Sequence, residues 1–346
     1  MKEFGPLDSE LQGPREAPTM IGMHLPGRAC SLKSHFVTRI NAPGQWARAA
    51  HFGAVILVFL LTPKISPAAN GRGIPSYDLF ARTNLVAWCI VPFDARKRGP
   101  EERAAMLEAL GFKWLAYDYR AEHIPTFDAE MEALKRHHVQ LLAWWFPGEL
   151  NTEARLILDV LKRHGLSGVQ LWVTGAGEPT RSPDEQQARV AAEANRIRPI
   201  VDESAKIGCT VALYNHGAWF GEPENQIQII ERLRSQGVTN VGIVYNQHHG
   251  HAHVDRFPEL LAKMKPHLVA LNLNGMSAEG EKKLILPIGQ GEFDLRLLRT
   301  IFDSGWRGPI GILNHTDEDA ETRLRANLQG LETLVGQLRG QRKRAL

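Results

Sequence analysis

The sequence predicts an α/β protein built as a single (β/α)8 barrel, the TIM-barrel architecture, and three observations carry that expectation. Short apolar runs alternate with amphipathic stretches eight times between residues 84 and 338. Runs this short and this rich in Val, Ile, Leu and Trp read as strands buried on both faces, and strands separated by helices must run parallel. The first strand is followed by Pro92-Phe93-Asp94, not by the Gly-rich phosphate turn that opens a doubly wound sheet, so a closed barrel is favoured over an open one.

The elements follow in order. Strand 85–91 leads to a helix over 100–110, with Ala104, Met106, Leu107 and Leu110 at helical spacing and Gly111 as its stop. Strand 114–119 ends in Asp118, Tyr119 and Arg120, and a helix over 127–138 turns Met131 and Leu134 inward. Strand 139–146 carries Trp144, Trp145 and Phe146 at its tip, before a helix over 153–164 that Gly165 closes. Strand 168–173 runs into Thr174-Gly175-Ala176-Gly177-Glu178, and a long helix over 183–206 begins after Ser182, a capping residue. Strand 209–214 is tipped by Asn215, His216 and Gly217, and the helix 226–235 stops near Gly237. Strand 241–245 breaks abruptly into Asn246, His248, His249, His251 and His253. Helix 258–265, strand 268–273 with Asn272 and Asn274 at its end, and helix 293–304 come next. Strand 309–313, tipped by Asn314 and His315, and a final helix over 320–338 complete the alternation.

The 346 residues are 43% hydrophobic and 23% charged, ordinary globular values with ample material for a core. Residues 1–69 hold 7 of the 41 Lys/Arg and 4 of the 38 Asp/Glu. The formal charge of +3 therefore sits in that segment, and the neutral remainder argues against a nucleic-acid partner. Residues 1–45, rich in Pro, Gly and polar side chains, are expected to be a disordered leader or to lie upstream of the true translation start. Residues 46–69 combine Arg48, an apolar core from Ala49 to Leu61 and the small-residue exit Ser66-Pro67-Ala68-Ala69, the parts of a secretory signal. The apolar run is short of the ~20 residues a membrane span needs. A signal peptide cleaved near Asn70, no stable membrane span afterwards and a periplasmic or secreted product are the expectation, with an uncleaved anchor or a buried helix as alternatives. Residues 70–83 read as a linker. Residues 339–346, with Arg339, Arg342, Lys343 and Arg344, read as a solvated basic tail. Three cysteines make no disulfide framework; Cys89 and Cys209 fall in buried strands and are expected to be free and inert.

In a closed barrel the carboxyl ends of all strands converge on one mouth. Residues far apart in sequence then become neighbours: Asp118, Trp144, Trp145, Tyr214, Asn215, His216, Asn246, His248, His249, Asn272, Asn274, Asn314 and His315, with Glu292 ahead of the seventh helix. Amides donate to and accept from hydroxyls, and aromatic faces pack on the apolar face of a sugar ring, so a small carbohydrate ligand is expected. Core packing is the alternative role for each Trp, a strand-end turn that for each Asn.

The succession Tyr214-Asn215-His216-Gly217, Asn246-Gln247-His248-His249 and Asn272-Leu273-Asn274-Gly275, continued by Pro287-Ile288-Gly289-Gln290-Gly291-Glu292-Phe293-Asp294 and Gly308-Pro309-Ile310-Gly311-Ile312-Leu313-Asn314, resembles the xylose isomerase-like TIM-barrel superfamily. These are the sugar phosphate isomerases and epimerases and their relatives, and the resemblance covers about residues 84–338. It implies isomerase or epimerase chemistry on a small carbohydrate or derivative. Members commonly hold a divalent metal with Glu, Asp, His and Glu on strands five to eight, and the two Glu residues move the proton. The matching positions here are Tyr214, Asn246, Asn272 and Asn314, all neutral, whereas Mg²⁺ and Mn²⁺ favour carboxylate oxygen. The substrate-associated His of the sixth strand is retained as His249. Three readings follow: a remodelled isomerase or epimerase using His249, His216 or His315 as general acid/base, with Asp118, Glu178 or Glu292 assisting; a carbohydrate-binding protein on a silent barrel; and a transition-metal site on the His cluster. No cofactor is assigned, and a divalent metal and the oligomeric state are left open.

Overall fold

A computed structural model of the chain describes residues 76–279 and 285–345. The expected leader and signal segment, and residues 70–75 of the expected linker, lie outside the described residues. The described residues all belong to one compact unit, Ala68–Leu346.

The strands are β1 (Leu85–Trp88), β2 (Trp114–Tyr117), β3 (Gln140–Trp145), β4 (Gln170–Val173), β5 (Thr210–Tyr214), β6 (Val241–Asn246), β7 (Leu268–Leu273) and β8 (Ile310–Leu313). They pair in sequence order and close on themselves. β1 meets β8 in parallel register from Leu85↔Ile310 to Trp88↔Leu313, so no strand edge is left unpaired. The helices are α1 (Pro100–Leu110), α2 (Phe127–Arg136), α3 (Thr152–Arg163), α4 (Pro183–Ala205), the short α5 (Ala218–Gly221), α6 (Pro223–Ser235), α7 (Phe257–Met264), α8 (Asp294–Asp303) and α9 (Ala320–Ala345). Asn151 caps α3 by accepting from the Ala154 N–H at 2.8 Å, and Ser182 caps α4 by accepting from that of Glu185 at 3.2 Å, each satisfying a donor the first turn leaves open. Among the described residues no helix is long and apolar enough to cross a membrane.

Alternation along the strands splits the core into two layers. Leu85, Leu115, Leu171, Val211, Ile243, Leu271 and Ile310 face the helices. Val86, Ala116, Ala143, Ala212, Val244 and Ala270 face the barrel axis, where they surround Trp88, Trp172 and Tyr214. Small residues on most inner positions are what make room for two indoles and a phenol. Trp88 and Trp172 meet edge to face at 4.6 Å, and Trp172 donates its indole N–H to Gln170 at 2.9 Å. Gly311 belongs to the same fitting: a Cβ there would run into the Asn272 amide oxygen.

Three segments differ from the sequence expectation. β1 stops at Trp88 and does not continue to residue 91, because Cys89 adopts a left-handed backbone at φ 56°, a conformation that costs a non-glycine residue energy and ends a strand. The end of the expected linker is part of the barrel's packing. Leu79 and Phe80 are buried, Tyr77 stacks on Phe302 at 4.5 Å, and the Asn84 amide donates to the carbonyls of Leu79 and Gly308 at 2.8 and 2.9 Å. The basic end continues α9 to Ala345, and the Arg339 guanidinium lies 4.7 Å over the Tyr77 ring.

Candidate active site

The carboxyl ends of the strands enclose a small cavity of about 70 Å³, whose lining includes Trp88, Trp145, Tyr214 and Leu313. Pockets for whole drug-sized ligands run to several hundred Å³, so this space admits one polar end of a small molecule.

The β1–β2 side carries the ionisable groups. Asp118 is buried, 2% exposed; one carboxyl oxygen accepts the Val91 N–H at 3.2 Å and the other has no partner among the described residues. Burial pushes this carboxyl up to about 7, against the nearby Arg120 and the Val91 N–H, which favour the ionised form. The Cys89 thiol lies beside it, and burial together with the Asp118 charge raises that thiol well above the ordinary range, which leaves it protonated and unreactive. Arg120 stands exposed at the rim. Its Nη1 donates to the carbonyls of Asp118 and Tyr119 at 3.1 and 2.8 Å, and its guanidinium lies 5.1 Å from the centre of the Phe93 ring. Phe93 in turn stacks on His315 at 3.6 Å.

The β5–β6 side is uncharged. Tyr214 and Asn246 point inward from their strands. The Tyr214 hydroxyl accepts from the Trp88 indole at 3.3 Å and from the Asn246 amide, while the Asn246 oxygen accepts the His248 N–H at 3.1 Å. Asn246 thereby caps the 3₁₀ turn Gln247–His253 that carries the imidazoles. The His249 ring lies 4.5 Å from that of His216 and 4.9 Å from that of His248. Burial, reinforced by these neighbouring imidazoles, lowers His249 to about 2 and His248 to about 4. His216 and His315 sit at the exposed rim and are also lowered, chiefly by the protein packed around them. All of these rings are neutral at neutral pH.

The remaining His residues of the run hold the turn in place. His251 Nδ1 contacts the His248 carbonyl at 2.7 Å. The Glu222 carboxylate can only accept, so His253 Nε2 donates to it at 3.2 Å, and the opposite nitrogen is hydrogen-bonded with the Tyr245 hydroxyl at 3.1 Å. Gly250 has no side chain because a Cβ would meet that hydroxyl. Asn215 adds a second tie. Its amide donates to the Asn246 carbonyl at 3.0 Å and accepts the Asn246 N–H at 2.7 Å, fastening the end of β5 to that of β6.

Of the residues expected at the mouth, Asp118, Trp145, Tyr214, His216, Asn246, His248, His249 and His315 line the cavity. Six others do not, each for its own reason. Trp144 faces the outer layer against Tyr117 and Phe127 at 5.2 and 4.8 Å, and its neighbour Trp145 takes the inward place. Asn215 is the strand tie just described. Asn314 is one residue past the inward Leu313, so it follows the parity of outward Ile310 and Ile312. Asn272 points inward but packs on Gly311 outside the lining, and Asn274 turns its amide to the Gly275 carbonyl at 2.8 Å. Glu292 is exposed and accepts the Ala278 N–H at 3.0 Å. The lining residues not foreseen as site residues are Trp88, Cys89, Phe93, Arg120 and Leu313. Period-two parity counted back from Tyr214 or Asn246 would have found Leu313 and chosen Trp145 over Trp144; nothing in the sequence announces the bend at Cys89.

The donor set does not fit Mg²⁺ or Mn²⁺ at the four positions the resemblance marks. Tyr214 and Asn246 bond to each other, Asn272 packs on Gly311, and Asn314 is replaced at the inward tip of β8 by Leu313. Among the described residues no three His, Cys, Asp or Glu side chains come together as a metal-binding group, so the imidazole cluster does not form the site that the third reading required.

Neither a family model nor a curated protein sequence matches the chain. Solved structures do. The IolI protein with a bound zinc atom matches with a TM-score of 0.58 at 14% identity, over 74% of this chain and 99% of that one. A xylose isomerase domain protein from Alicyclobacillus acidocaldarius gives 0.53 at 17%, over 73% and 98%. The 3-keto-D-glucoside 4-epimerase YcjR from E. coli gives 0.52 at 15%, over 73% and 98%. Likeness at such identities is one of fold. In architecture the chain is a closed (β/α)8 TIM barrel, similar in fold to these proteins.

Proposed function

We propose that the protein is an isomerase-like enzyme that moves a proton between adjacent carbons of a small carbohydrate or derivative, with Asp118 as the proton carrier and His249 as an uncharged hydrogen-bond donor. The observation that carries this reading is Asp118 itself: a buried carboxyl with one unpartnered oxygen, in the cavity lining, pushed up to about 7. A proton carrier works best with a pKa near the operating pH. β2 and β6 are four strands apart in a ring of eight, so Asp118 and His249 rise from opposite walls. Groups whose environments drive their pKa values apart mark the division of roles in an acid–base site.

In the step, the Asp118 carboxylate takes the proton from the carbon beside a carbonyl. The C–H electron pair becomes the C=C bond of an enediolate, and the former carbonyl oxygen takes the negative charge against the N–H of neutral His249. Asp118 returns the proton to the neighbouring carbon while the hydroxyl proton passes to the first oxygen, and the carbonyl has moved by one carbon. One carrier suits this transfer better than inversion at a single carbon, which needs an acid on each face. The small cavity suits the carbonyl end of an open-chain sugar. Structures of the same fold named as a 3-keto-D-glucoside 4-epimerase and a xylose isomerase domain protein support the choice of carbohydrate. The signal-like segment 46–69 makes an exported enzyme part of the proposal; N-terminal sequencing of the protein from its native host tests that part, and a full-length cytoplasmic product refutes it.

The test is incubation in D₂O with a panel of aldoses, ketoses and uronates, followed by NMR. Deuterium entering the carbon beside the carbonyl in wild type, and not in Asp118→Asn, is the expected result. Sugar binding without exchange in wild type would make the protein a carbohydrate-binding module on an inactive barrel.

A further inference from the structure

We infer that the rim of the mouth is a carboxylate-recognition site and that the substrate is a sugar acid, gripped through Arg120 while its carbonyl end enters the cavity; this rests on the mouth being the substrate site. Among the described lining residues, Arg120 is the only one with a permanent charge, the others being apolar, amide, phenol, thiol, imidazole or the titratable Asp118. A fixed cation at the edge of a small, otherwise uncharged space selects an anion.

The guanidinium is held for that purpose. Nη1 is committed to two backbone carbonyls, at 3.1 and 2.8 Å, and the group lies over Phe93, itself stacked on His315. This leaves the Nε and Nη2 edge, the pair of parallel N–H donors whose spacing matches a carboxylate. Among the described residues no Asp or Glu lies within ion-pair distance of Arg120, whereas Arg98, Arg103, Arg196 and Arg256 each have such a partner. Arginine at a rim with its donor edge unspent and its position fixed is arranged for a ligand, since a solvated surface arginine has no reason to be pinned on three sides. The unpartnered, buried oxygen of Asp118 is a second polar atom with no protein partner in the same lining. Together they supply one contact for a carboxylate and one for a carbonyl or hydroxyl, the two ends of a hexuronate.

Isothermal titration of the whole chain decides it, using D-glucuronate and D-galacturonate against D-glucose, D-galactose and D-glucose 6-phosphate. We expect at least one acid to bind tenfold or more tighter than its neutral sugar. Arg120→Gln should erase that preference, and Arg120→Lys, which keeps the charge and loses the two-donor edge, should restore only part of it. Failure of both acids to bind, a preference that survives Arg120→Gln, full restoration by Arg120→Lys, or tighter binding of the phosphate ester would each overturn the assignment. Binding is read here without turnover. An acid held through Arg120 that never exchanges deuterium sinks the proton-transfer reading alone; exchange of neutral sugars with no preference for acids sinks this inference alone.

Discussion

The two walls of the mouth face each other across one cavity and have been driven in opposite electrostatic directions. Just past the end of β2, burial raises an acid, so Asp118 titrates near neutrality. On the turn after β6, burial lowers bases, so His248 and His249 stay uncharged. One physical cause, loss of water around the charged form, gives both results, because the charged form of an acid is the deprotonated one and that of an imidazole the protonated one. The comparison also shows where chemistry can reside in this barrel. Of the positions on strands five to eight at which the resemblance places metal ligands, Tyr214 and Asn246 are neutral and bonded to each other, and the buried acid stands on the wall opposite.

The strongest way to break the comparison is to remove the acid. Asp118→Asn keeps an acceptor for the Val91 N–H and should lower turnover by ~10³, within the range general acid–base catalysis supplies. The same variant should become the more stable protein as pH rises. The folded-state value of about 7 lies above the ordinary Asp value of about 3.9, so the folded state binds this proton more tightly than the unfolded chain. The contribution of Asp118 to stability is therefore most favourable below about pH 4 and is lost as pH climbs to about 7. The groups facing it are Arg120 and Arg103, which favour the charge, and the Cys89 thiol. At ~1.4 kcal/mol per unit the loss is at most a few kcal/mol. Melting curves of both proteins across that range check it; a difference that does not change with pH would mean that Asp118 is not held as an acid.

On the other wall, His249→Gln removes a neutral donor rather than a base. Loss of one donor to a developing oxyanion typically costs ~10² or more in turnover, and substrate affinity should stay within about tenfold, ~1.4 kcal/mol. Steady-state rates alongside titration separate the two. An equal loss in both would make His249 a binding residue, and a bell-shaped pH profile that loses a limb in this variant would make it the base.

How the walls compare with what the sequence showed is instructive. The eight strands were legible because each is an apolar run bounded by a helix with recognisable stops such as Gly111 and Gly165, and closure followed from their number. The mouth was legible only to within one residue. Trp144 beside Trp145, Asn314 beside Leu313 and Asn215 beside His216 are adjacent pairs of which one member faces inward, and a shift of one residue exchanges the faces. A list of strand tips does not carry that parity. Arg120 was visible at the end of the second strand, yet its role depends on Phe93, which the left-handed turn at Cys89 sends back over the rim, and no local pattern encodes that contact.

A milder perturbation tests whether the imidazole wall depends on its fastening. Asn215→Ala deletes the pair of buried bonds to the Asn246 backbone and should cost ~2 kcal/mol at ~1 kcal/mol each. It should also lower turnover several-fold, because His216 and His249 sit on the two segments it ties. Denaturant unfolding and rates at fixed substrate measure both; unchanged stability would show that the β5–β6 tie is incidental.

The smallest expected effect is that of metal. Removing divalent cations with EDTA, or adding Mg²⁺ or Mn²⁺, should leave turnover unchanged, and dialysed protein should hold neither ion stoichiometrically. The argument is one of donors and space. An oxygen-seeking dication gains much of its affinity from carboxylates that offset its charge in a low-dielectric pocket. Here the corresponding donors are a phenol kept protonated by burial and amides, and the phenol and one amide are already bonded to each other. The fourth position is farther from a ligand set than its amide suggests, since Leu313 takes the inward place at the end of β8. Restoring charge at Asn246 alone would therefore meet the Tyr214 hydroxyl before it met an ion. A combined Tyr214→Glu and Asn246→Asp variant both clears the phenol and supplies two carboxylates, and it should gain Mn²⁺ binding that wild type lacks. Elemental analysis of the two proteins checks this: stoichiometric Mn²⁺ in wild type would show that the neutral pair does not exclude the ion, and two equally metal-free proteins would show that Tyr214 is not what closes the site.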